Sequence, residues 1–122
     1  MGEQRQLRIA LVDDDPSVAA ILRMLRLTGM RAEHFDSAEN LLCAGISVEC
    51  YVIDIDLPGM SGLDLQRKLR STSSAAPAIL ITADDDPAIE TAAMAVGAVA
   101  LLVKPFTGRK LAATVRCFAA QR

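Results

Sequence analysis

Short apolar runs alternate with helical patterns along the chain, and this alternation is the strongest constraint on its fold. The runs LRIALV, CYVI, AILI and ALLV are almost wholly apolar, as is typical of strands buried on both faces of a parallel sheet. The run RAEHF alternates more weakly, which favours an outer strand. The pattern predicts strands at 7–12, 31–35, 50–53, 78–81 and 100–103.

A helical pattern follows each of these strands. Asp15, Ser61 and Asp86 are predicted N-caps, and Asp36 with Glu39 forms a variant of the capping box. The segment STSSAAP is predicted to be a surface connection. Helices are predicted at 16–29, 36–45, 61–70, 86–97 and 107–121. The resulting five βα units predict one doubly wound α/β domain over 1–122, with 1–6 as a flexible N-terminal segment.

Charge and apolar patterning exclude several classes of protein. The net charge of the 122-residue chain is −2 and no basic block occurs, which argues against direct nucleic-acid contact. No apolar run approaches the roughly 18 residues of a membrane span, and the N-terminus does not resemble a signal peptide. The three cysteines lack CxxC spacing, so reduced, buried thiols in a cytoplasmic protein are expected, and His34 is assigned a structural role.

Chemically active residue types stand where each buried strand ends. Asp13 and Asp14 follow the first strand, Asp54 ends the third, Thr82 ends the fourth, and Lys104 follows the fifth. Ligands of open α/β sheets bind outside the carboxyl ends of the strands, at the point where strand order reverses. With a strand order of 2-1-3-4-5, the three aspartates converge, and the threonine and lysine lie beside them.

Three carboxylates in one cleft repel each other, and a hard divalent cation such as Mg²⁺ (or Mn²⁺) relieves that repulsion. Lys104 adds a second positive charge, which suits binding of a phosphoryl group. Neither GxxxxGK[ST] nor GxGxxG is present, so nucleotide binding is not expected. The phosphoryl group is therefore expected to arrive on another molecule and to form an acyl phosphate on a carboxylate.

Four motifs, in order, carry a family resemblance: LVDDD, VIDIDLPGMSG, LITA and VKPF. The chain resembles the CheY-like receiver domain of two-component response regulators over essentially its whole length. The resemblance implies a flavodoxin-like (βα)5 fold with a five-stranded parallel sheet in the order 2-1-3-4-5. It identifies Asp54 as the phosphorylated residue, Asp13 and Asp14 as the acidic pair on Mg²⁺, and the backbone carbonyl of Asp56 as a further metal ligand.

The resemblance also assigns the residues that respond to phosphorylation. Thr82 is similar to the switch hydroxyl and Lys104 to the lysine that pairs with the phosphoryl group, while Lys104–Pro105 is similar to a cis peptide of the family. The family commonly has an aromatic residue where this chain has Leu101, so the relay through that position is expected to differ. The acidic side chains of Asp56 and Asp84 are predicted to alter the lifetime of the phosphorylated state.

The implied function is a phosphorylation-controlled switch that catalyses its own phosphorylation and dephosphorylation, and not a turnover enzyme. Its partners would be a sensor histidine kinase or a phosphotransfer protein. A homodimer or an effector would bind through the fourth and fifth helices, and no membrane contact is expected. These helices carry several alanines, for which ordinary packing on the sheet is the simpler interpretation: Ala88, Ala92, Ala93, Ala112 and Ala113.

Two alternative functions remain at this point. A degenerate receiver would act as a constitutive binding module, although all five functional side chains are present. A haloacid-dehalogenase-type phosphatase also carries a DxD after an apolar strand, which VIDID imitates, but here Leu57 and Pro58 follow instead of Thr or Val. The sequence is compatible with a single-domain regulator and with a receiver excised from a longer protein.

Overall fold

A computed structural model describes residues 6–72 and 76–119 as five strands and five helices. The strands are β1 (Arg8–Val12), β2 (Arg31–Phe35), β3 (Cys50–Asp54), β4 (Ala78–Thr82) and β5 (Ala100–Val103). The helices are α1 (Val18–Leu27), α2 (Ala38–Ala44), α3 (Gly62–Ser71), α4 (Pro87–Ala95) and α5 (Gly108–Ala119). Within these described ranges, no helix is long and apolar enough to cross a membrane. Most of the predicted N-terminal segment, 1–5, lies outside the described residues, as does 73–75 of the predicted surface connection.

All five strands are parallel and lie in the order β2-β1-β3-β4-β5. This confirms the doubly wound sheet and its predicted order. The order of the strands reverses at β1, because β2 is added on one side of it and β3 on the other. β1 and β3 are therefore neighbours, with Val12 beside Ile53. Asp54 lies beside Ile81 one strand further on, so the strand ends that carry the polar residues share one edge of the sheet.

Alternate side chains of the central strands point to opposite faces of the sheet, and helices cover both faces. One apolar core lies on the side covered by α2, α3 and α4, and its buried members include Ile53, Leu65 and Leu80. The other lies on the side covered by α1 and α5, and includes Leu11 and Ile79. The aliphatic residues of the chain thus form two apolar cores, one on each face of the sheet, where helices pack against it.

The start of α1 differs from its prediction. The helix begins at Val18 with Ser17 in the N-cap position, two residues later than expected. Asp15 is not its cap: its carboxylate accepts a hydrogen bond from the Ser17 N–H at 3.0 Å, and its carbonyl accepts one from Val18 at 3.0 Å. Asp15 therefore closes a turn before the helix, as aspartate commonly does.

The predicted capping box of α2 is wrong by one residue. Ser37, not Asp36, is the N-cap, and its hydroxyl accepts from the Asn40 N–H at 3.1 Å. Glu39 does not bond back to its own helix start but accepts from the Met60 N–H. The predicted caps Ser61 and Asp86 are confirmed, since they accept from the third and second N–H that follow them.

Burial of the cysteines was predicted correctly for one of the three. Cys50 is fully buried, and burial raises the pKa of its thiol to about 12. Cys43 and Cys117 are exposed, which contradicts the expectation of buried thiols. The reason for Cys43 is helical geometry: α2 buries Ala38 and Leu41, and a residue two positions beyond Leu41 points away from that face.

The alanines of the last two helices divide between core and surface. Ala93 and Ala112 are buried, as expected for ordinary packing against the sheet. Ala88 and Ala113 are exposed, and Ala92 is half-buried.

Candidate functional site

Three carboxylates meet at the edge of the sheet where β1 and β3 end. Asp13, Asp14 and Asp54 each offer one oxygen, and these oxygens lie within 4.8 Å of one another. Asp13 is fully buried and Asp54 is 5% exposed, whereas Asp14 is open to solvent. Two of the three charges are therefore held in a place where an isolated carboxylate is costly.

Backbone N–H groups fix one oxygen of each buried carboxylate. Asp13 Oδ1 accepts from the Asp15 N–H at 2.9 Å, and Asp54 Oδ1 accepts from the Asp56 N–H at 2.9 Å. The second oxygen of each carboxylate, Oδ2, faces Lys104. Each aspartate thus has one oxygen committed to the loop that follows it and one directed into the cleft.

Lys104 brings a single ammonium group among these acids. Its Nζ lies 3.3 Å from Asp54 Oδ2, 3.3 Å from Asp13 Oδ2 and 3.5 Å from Asp15 Oδ2. The contact with Asp15 was missed in the sequence, where this residue was assigned only to a cap. Its position as the third consecutive acid after β1 was the available signal. One cation faces three carboxylates, with Asp14 close by.

The pKa values of Asp54 and Lys104 are both raised in the folded protein. Burial is the main cause that raises the pKa of Asp54 to about 6; the Asp56 N–H opposes this, and the nearby Asp13 carboxylate adds to it. Burial disfavours the charge of Lys104, but the carboxylates of Asp54 and Asp13 together raise its pKa. The lysine remains a cation, while Asp54 carries an electrostatic cost when ionised.

The donor set fits a hard divalent cation. Asp13 Oδ2 is buried and has no hydrogen-bond partner, since its contact with the Lys104 ammonium is an ion pair without hydrogen-bond geometry. Carboxylate oxygens are the ligands that Mg²⁺ prefers, and a buried oxygen that has no hydrogen bond would gain from such a partner. The acidic group therefore fits Mg²⁺ in both ligand type and unmet charge.

Thr82 and Lys104 occupy the neighbouring strand ends. Thr82 is 1% exposed, and its hydroxyl oxygen accepts from the Asp84 N–H at 3.1 Å. The Lys104 N–H donates to the Thr82 carbonyl at 2.7 Å, so the two backbones are joined at the end of the β4–β5 pair. The Lys104–Pro105 peptide bond is cis.

The side chains of Asp56 and Asp84 are exposed, and each residue follows a strand-end residue of the site, to which its N–H donates: Asp54 and Thr82. Asp84 Oδ1 accepts from the Asp86 N–H at 3.0 Å, which ties it to the start of α4. Leu101 is half-buried and packs against the core on the α4 side of the sheet. It therefore lies on the face of the sheet that α4 covers.

His34 contributes to the site in a way that the sequence did not reveal. Its Nε2 lies 2.7 Å from the carbonyl oxygen of Asp13, and the Asp13 N–H donates to the Phe35 carbonyl at 3.0 Å. These contacts extend the β1–β2 pairing past Val12 and hold the backbone of Asp13.

Comparison with known proteins agrees with this architecture. A family model described as the response regulator receiver domain matches residues 9–116. The response regulator protein TmoT of Ectopseudomonas mendocina is 34% identical over 95% of this chain and 54% of its own length. The transcriptional regulatory protein FixJ of Bradyrhizobium diazoefficiens is 33% identical over 88% of this chain and 54% of its own length. The chain thus spans about half the length of these curated relatives.

A solved structure gives the same result in three dimensions. The receiver domain of DrrB, a response regulator of Thermotoga maritima, superposes with a TM-score of 0.88 at 27% identity, covering 97% of this chain and all of that one. The fold, with its acidic edge beside a lysine, defines a signalling receiver. This chain belongs to the response regulator receiver family of two-component systems.

Proposed function

We propose that Asp54 accepts a phosphoryl group from a phosphohistidine on a sensor histidine kinase or a phosphotransfer protein. One observation carries this proposal: Asp54 Oδ1 is held by a backbone N–H, while Oδ2 is directed at the Lys104 ammonium 3.3 Å away. Oδ2 is therefore the oxygen available for attack. The DrrB receiver domain, to which this chain is similar, is described as BeF3-activated.

The residues that would hold Mg²⁺ (or Mn²⁺) are Asp13, Asp14 and Asp54 through their carboxylates and Asp56 through its backbone carbonyl. When bound, the cation would neutralise charge on the carboxylates and on the incoming phosphoryl group. The buried Oδ2 of Asp13, which has no hydrogen-bond partner, supports this assignment.

The transfer step follows from the positions of Asp54 and Lys104. Asp54 Oδ2 forms the new O–P bond as the N–P bond of the phosphohistidine breaks, and the imidazole leaves with its electron pair. The Lys104 ammonium, already beside Oδ2, stabilises the negative charge on the phosphoryl oxygens. The product is an acyl phosphate on Asp54.

Thr82 is the proposed sensor of that product. Its hydroxyl would donate to a phosphoryl oxygen while its oxygen still accepts a hydrogen bond from the Asp84 N–H, so a movement of Thr82 would be passed on to Asp84. The loop that leads into α4 would move with it. Leu101 would respond by repacking, without the hydrogen bond that an aromatic hydroxyl could make.

The response is proposed to appear on α4 and α5, where a homodimer partner or an effector would bind. Met94 of α4 and Val103 of the outermost strand β5 are apolar residues that are exposed, at 46% and 38%. We also propose that residues 1–122 form one receiver domain. We propose that this domain acts in the cytoplasm, together with its kinase partner.

The side chains of Asp56 and Asp84 are predicted to set the lifetime of the acyl phosphate. Both are exposed acids in the loops that follow Asp54 and Thr82, where they can orient or repel an attacking water. Replacing both with Asn is expected to change the first-order dephosphorylation rate about three- to tenfold, as expected for changed hydrogen bonding worth about 1 kcal/mol. Asp85→Asn, at an exposed acid of the same loop, is the matched control. Equal rates in the double variant and the control would show that these side chains have no such role.

The proposed function is tested with a small acyl-phosphate donor, with and without Mg²⁺, read by intact mass. We expect uptake of one phosphoryl group that depends on Mg²⁺, followed by slow loss. Absence of labelling would instead favour a constitutive binding module. Repeated turnover of small phosphate esters would favour a phosphatase of the haloacid-dehalogenase type.

A further inference from the structure

Glu39 lies outside the acidic cleft, yet it contacts the loop that follows the phosphoacceptor. This β3–α3 loop comprises residues 56–61 and connects Asp54 and Ile55 to the first turn of α3. Glu39 Oε2 accepts a hydrogen bond from the Met60 N–H at 3.1 Å. The carboxylate therefore links the first turn of α2 to a loop far along the chain.

The base of the β3–α3 loop is closed by backbone contacts. The Ile55 carbonyl accepts from the Leu57 N–H at 3.2 Å and from the Gly62 N–H at 2.9 Å. A Cβ on Gly62 would lie 2.2 Å from the Asp54 carbonyl oxygen, so the start of α3 is packed directly on the phosphoacceptor backbone. The two ends of the loop are thus fixed relative to Asp54.

The far side of the loop is shaped to receive Glu39. Gly59 has a φ of +72°, a conformation that favours glycine, and it follows Pro58 in the turn. A Cβ on Gly59 would lie 2.9 Å from Glu39 Oε2. The glycine therefore serves both the turn and the close approach of the carboxylate. These are separate observations from the hydrogen bond, and they place the same side chain at the same point.

We propose that Glu39 is a positioning residue for the metal site, acting through the β3–α3 loop. With the base of the loop closed at Ile55 and Gly62, the Glu39–Met60 bond restrains the span that contains Asp56. The backbone carbonyl of Asp56 is thereby held in the orientation needed for a metal ligand. This inference rests on the proposed function, because it needs the Asp56 carbonyl to bind Mg²⁺.

The capping-box interpretation of Glu39 fails for a related reason. Its carboxylate accepts from Met60 and not from the start of α2, where Ser37 caps the helix alone. An acid in the first turn still interacts favourably with the helix dipole, so its removal has a small general cost. Any test must separate that cost from the effect on the loop.

Glu90 provides the matched control because it is an exposed acid in the first turn of another helix, α4. Glu39→Ala is expected to weaken Mg²⁺ binding about three- to tenfold by isothermal titration calorimetry, the size of one ordinary hydrogen bond, since the Glu39–Met60 bond is exposed to solvent. Glu39→Gln retains a neutral acceptor and is expected to stay within about twofold of the wild type. Glu90→Ala is expected to bind Mg²⁺ as the wild type does.

A second measurement needs no metal and so tests the Glu39–Met60 hydrogen bond apart from Mg²⁺ binding. In ¹⁵N-labelled, metal-free protein, the Met60 amide is expected to be protected from hydrogen exchange in the wild type and in Glu39→Gln. In Glu39→Ala this protection should fall, while Gly62 stays protected by the Ile55 carbonyl. Wild-type protein that does not bind Mg²⁺ would overturn the proposed function and this inference with it, even if Met60 is protected.

Two results would overturn the inference while the proposed function stands. One is a wild type that binds Mg²⁺ with a Glu39→Ala variant no weaker than Glu90→Ala. The other is a Met60 amide that is protected equally in Glu39→Ala and in the wild type, which would show that Glu39 does not hold the β3–α3 loop.

Discussion

Replacing Asp54 with Asn is expected to stabilise the metal-free domain at neutral pH. Burial raises the pKa of Asp54 to about 6, above the 3.8 of a free aspartate, so the folded state binds more protons than the unfolded state between these values. Stability from this group is therefore lost as pH rises through that window. A pKa difference of about two corresponds to about 3 kcal/mol, and we expect a gain of about 1–3 kcal/mol at pH 7.5.

Urea unfolding in a chelator at about pH 4.5 and about pH 7.5 measures this effect. The advantage of Asp54→Asn should be large at the higher pH and should shrink at the lower one, where the wild-type carboxyl is protonated. Saturating Mg²⁺ should stabilise the wild type more than the variant. Asp85→Asn, at an exposed acid, should show neither effect. A metal-free Asp54→Asn variant no more stable than the wild type at pH 7.5 would contradict the assigned electrostatics.

Removing the charge of Lys104 is expected to destabilise the metal-free domain, in contrast to Asp54→Asn. Its ammonium lies within 3.5 Å of three carboxylate oxygens, two of them on buried residues. Breaking a fully buried ion pair costs about 3–5 kcal/mol. Lys104 is 21% exposed and Asp54 can take up a proton, so we expect Lys104→Met to cost about 2 kcal/mol in metal-free protein at neutral pH.

Methionine keeps an unbranched side chain of similar length, so this substitution tests charge more than packing. Lys110→Met on exposed α5 is the control and should change the free energy of unfolding by less than about 0.5 kcal/mol. In the Asp54→Asn background the cost of Lys104→Met should fall, because one of its buried carboxylates has gone. Equal costs of Lys104→Met in the two backgrounds would show that Lys104 and Asp54 are not coupled.

The sheet was predictable because its signals are local and repeated. Each buried strand is a short apolar run, and a doubly wound sheet permits few strand orders once five βα units are recognised. The position of the site was predictable from the same strand assignments. Asp13, Asp54 and Thr82 stand at strand ends, and parallel strands bring such ends together.

Local details failed where neighbouring residues offered equivalent chemistry. Asp36 and Ser37 can both cap α2, and only the backbone conformation decides in favour of Ser37. Asp15 was assigned to a cap, but the turn through Pro16 delays the helix and leaves its carboxylate near Lys104. Pattern reasoning ranks residue types at a position and does not determine which of two adjacent candidates the chain uses.

Contacts between distant segments were beyond sequence reasoning for a different reason. His34 reaches the Asp13 carbonyl because β2 pairs with β1 in one register, and Glu39 reaches Met60 because α2 packs beside the β3–α3 loop. Neither pairing has a local signal, since each depends on side-chain placement across the assembled fold.

Comparison of three forms of the protein shows which residue carries the phosphoryl group. Wild type, Asp54→Asn and Asp56→Asn are treated with an acyl-phosphate donor and Mg²⁺ and compared by intact mass. Asp56→Asn is the control, since it keeps the backbone carbonyl and changes only an exposed carboxylate two residues away. We expect one phosphoryl group on wild type and on Asp56→Asn, and none on Asp54→Asn. Labelling that persists in Asp54→Asn, or that never appears in the wild type, would contradict phosphorylation at Asp54.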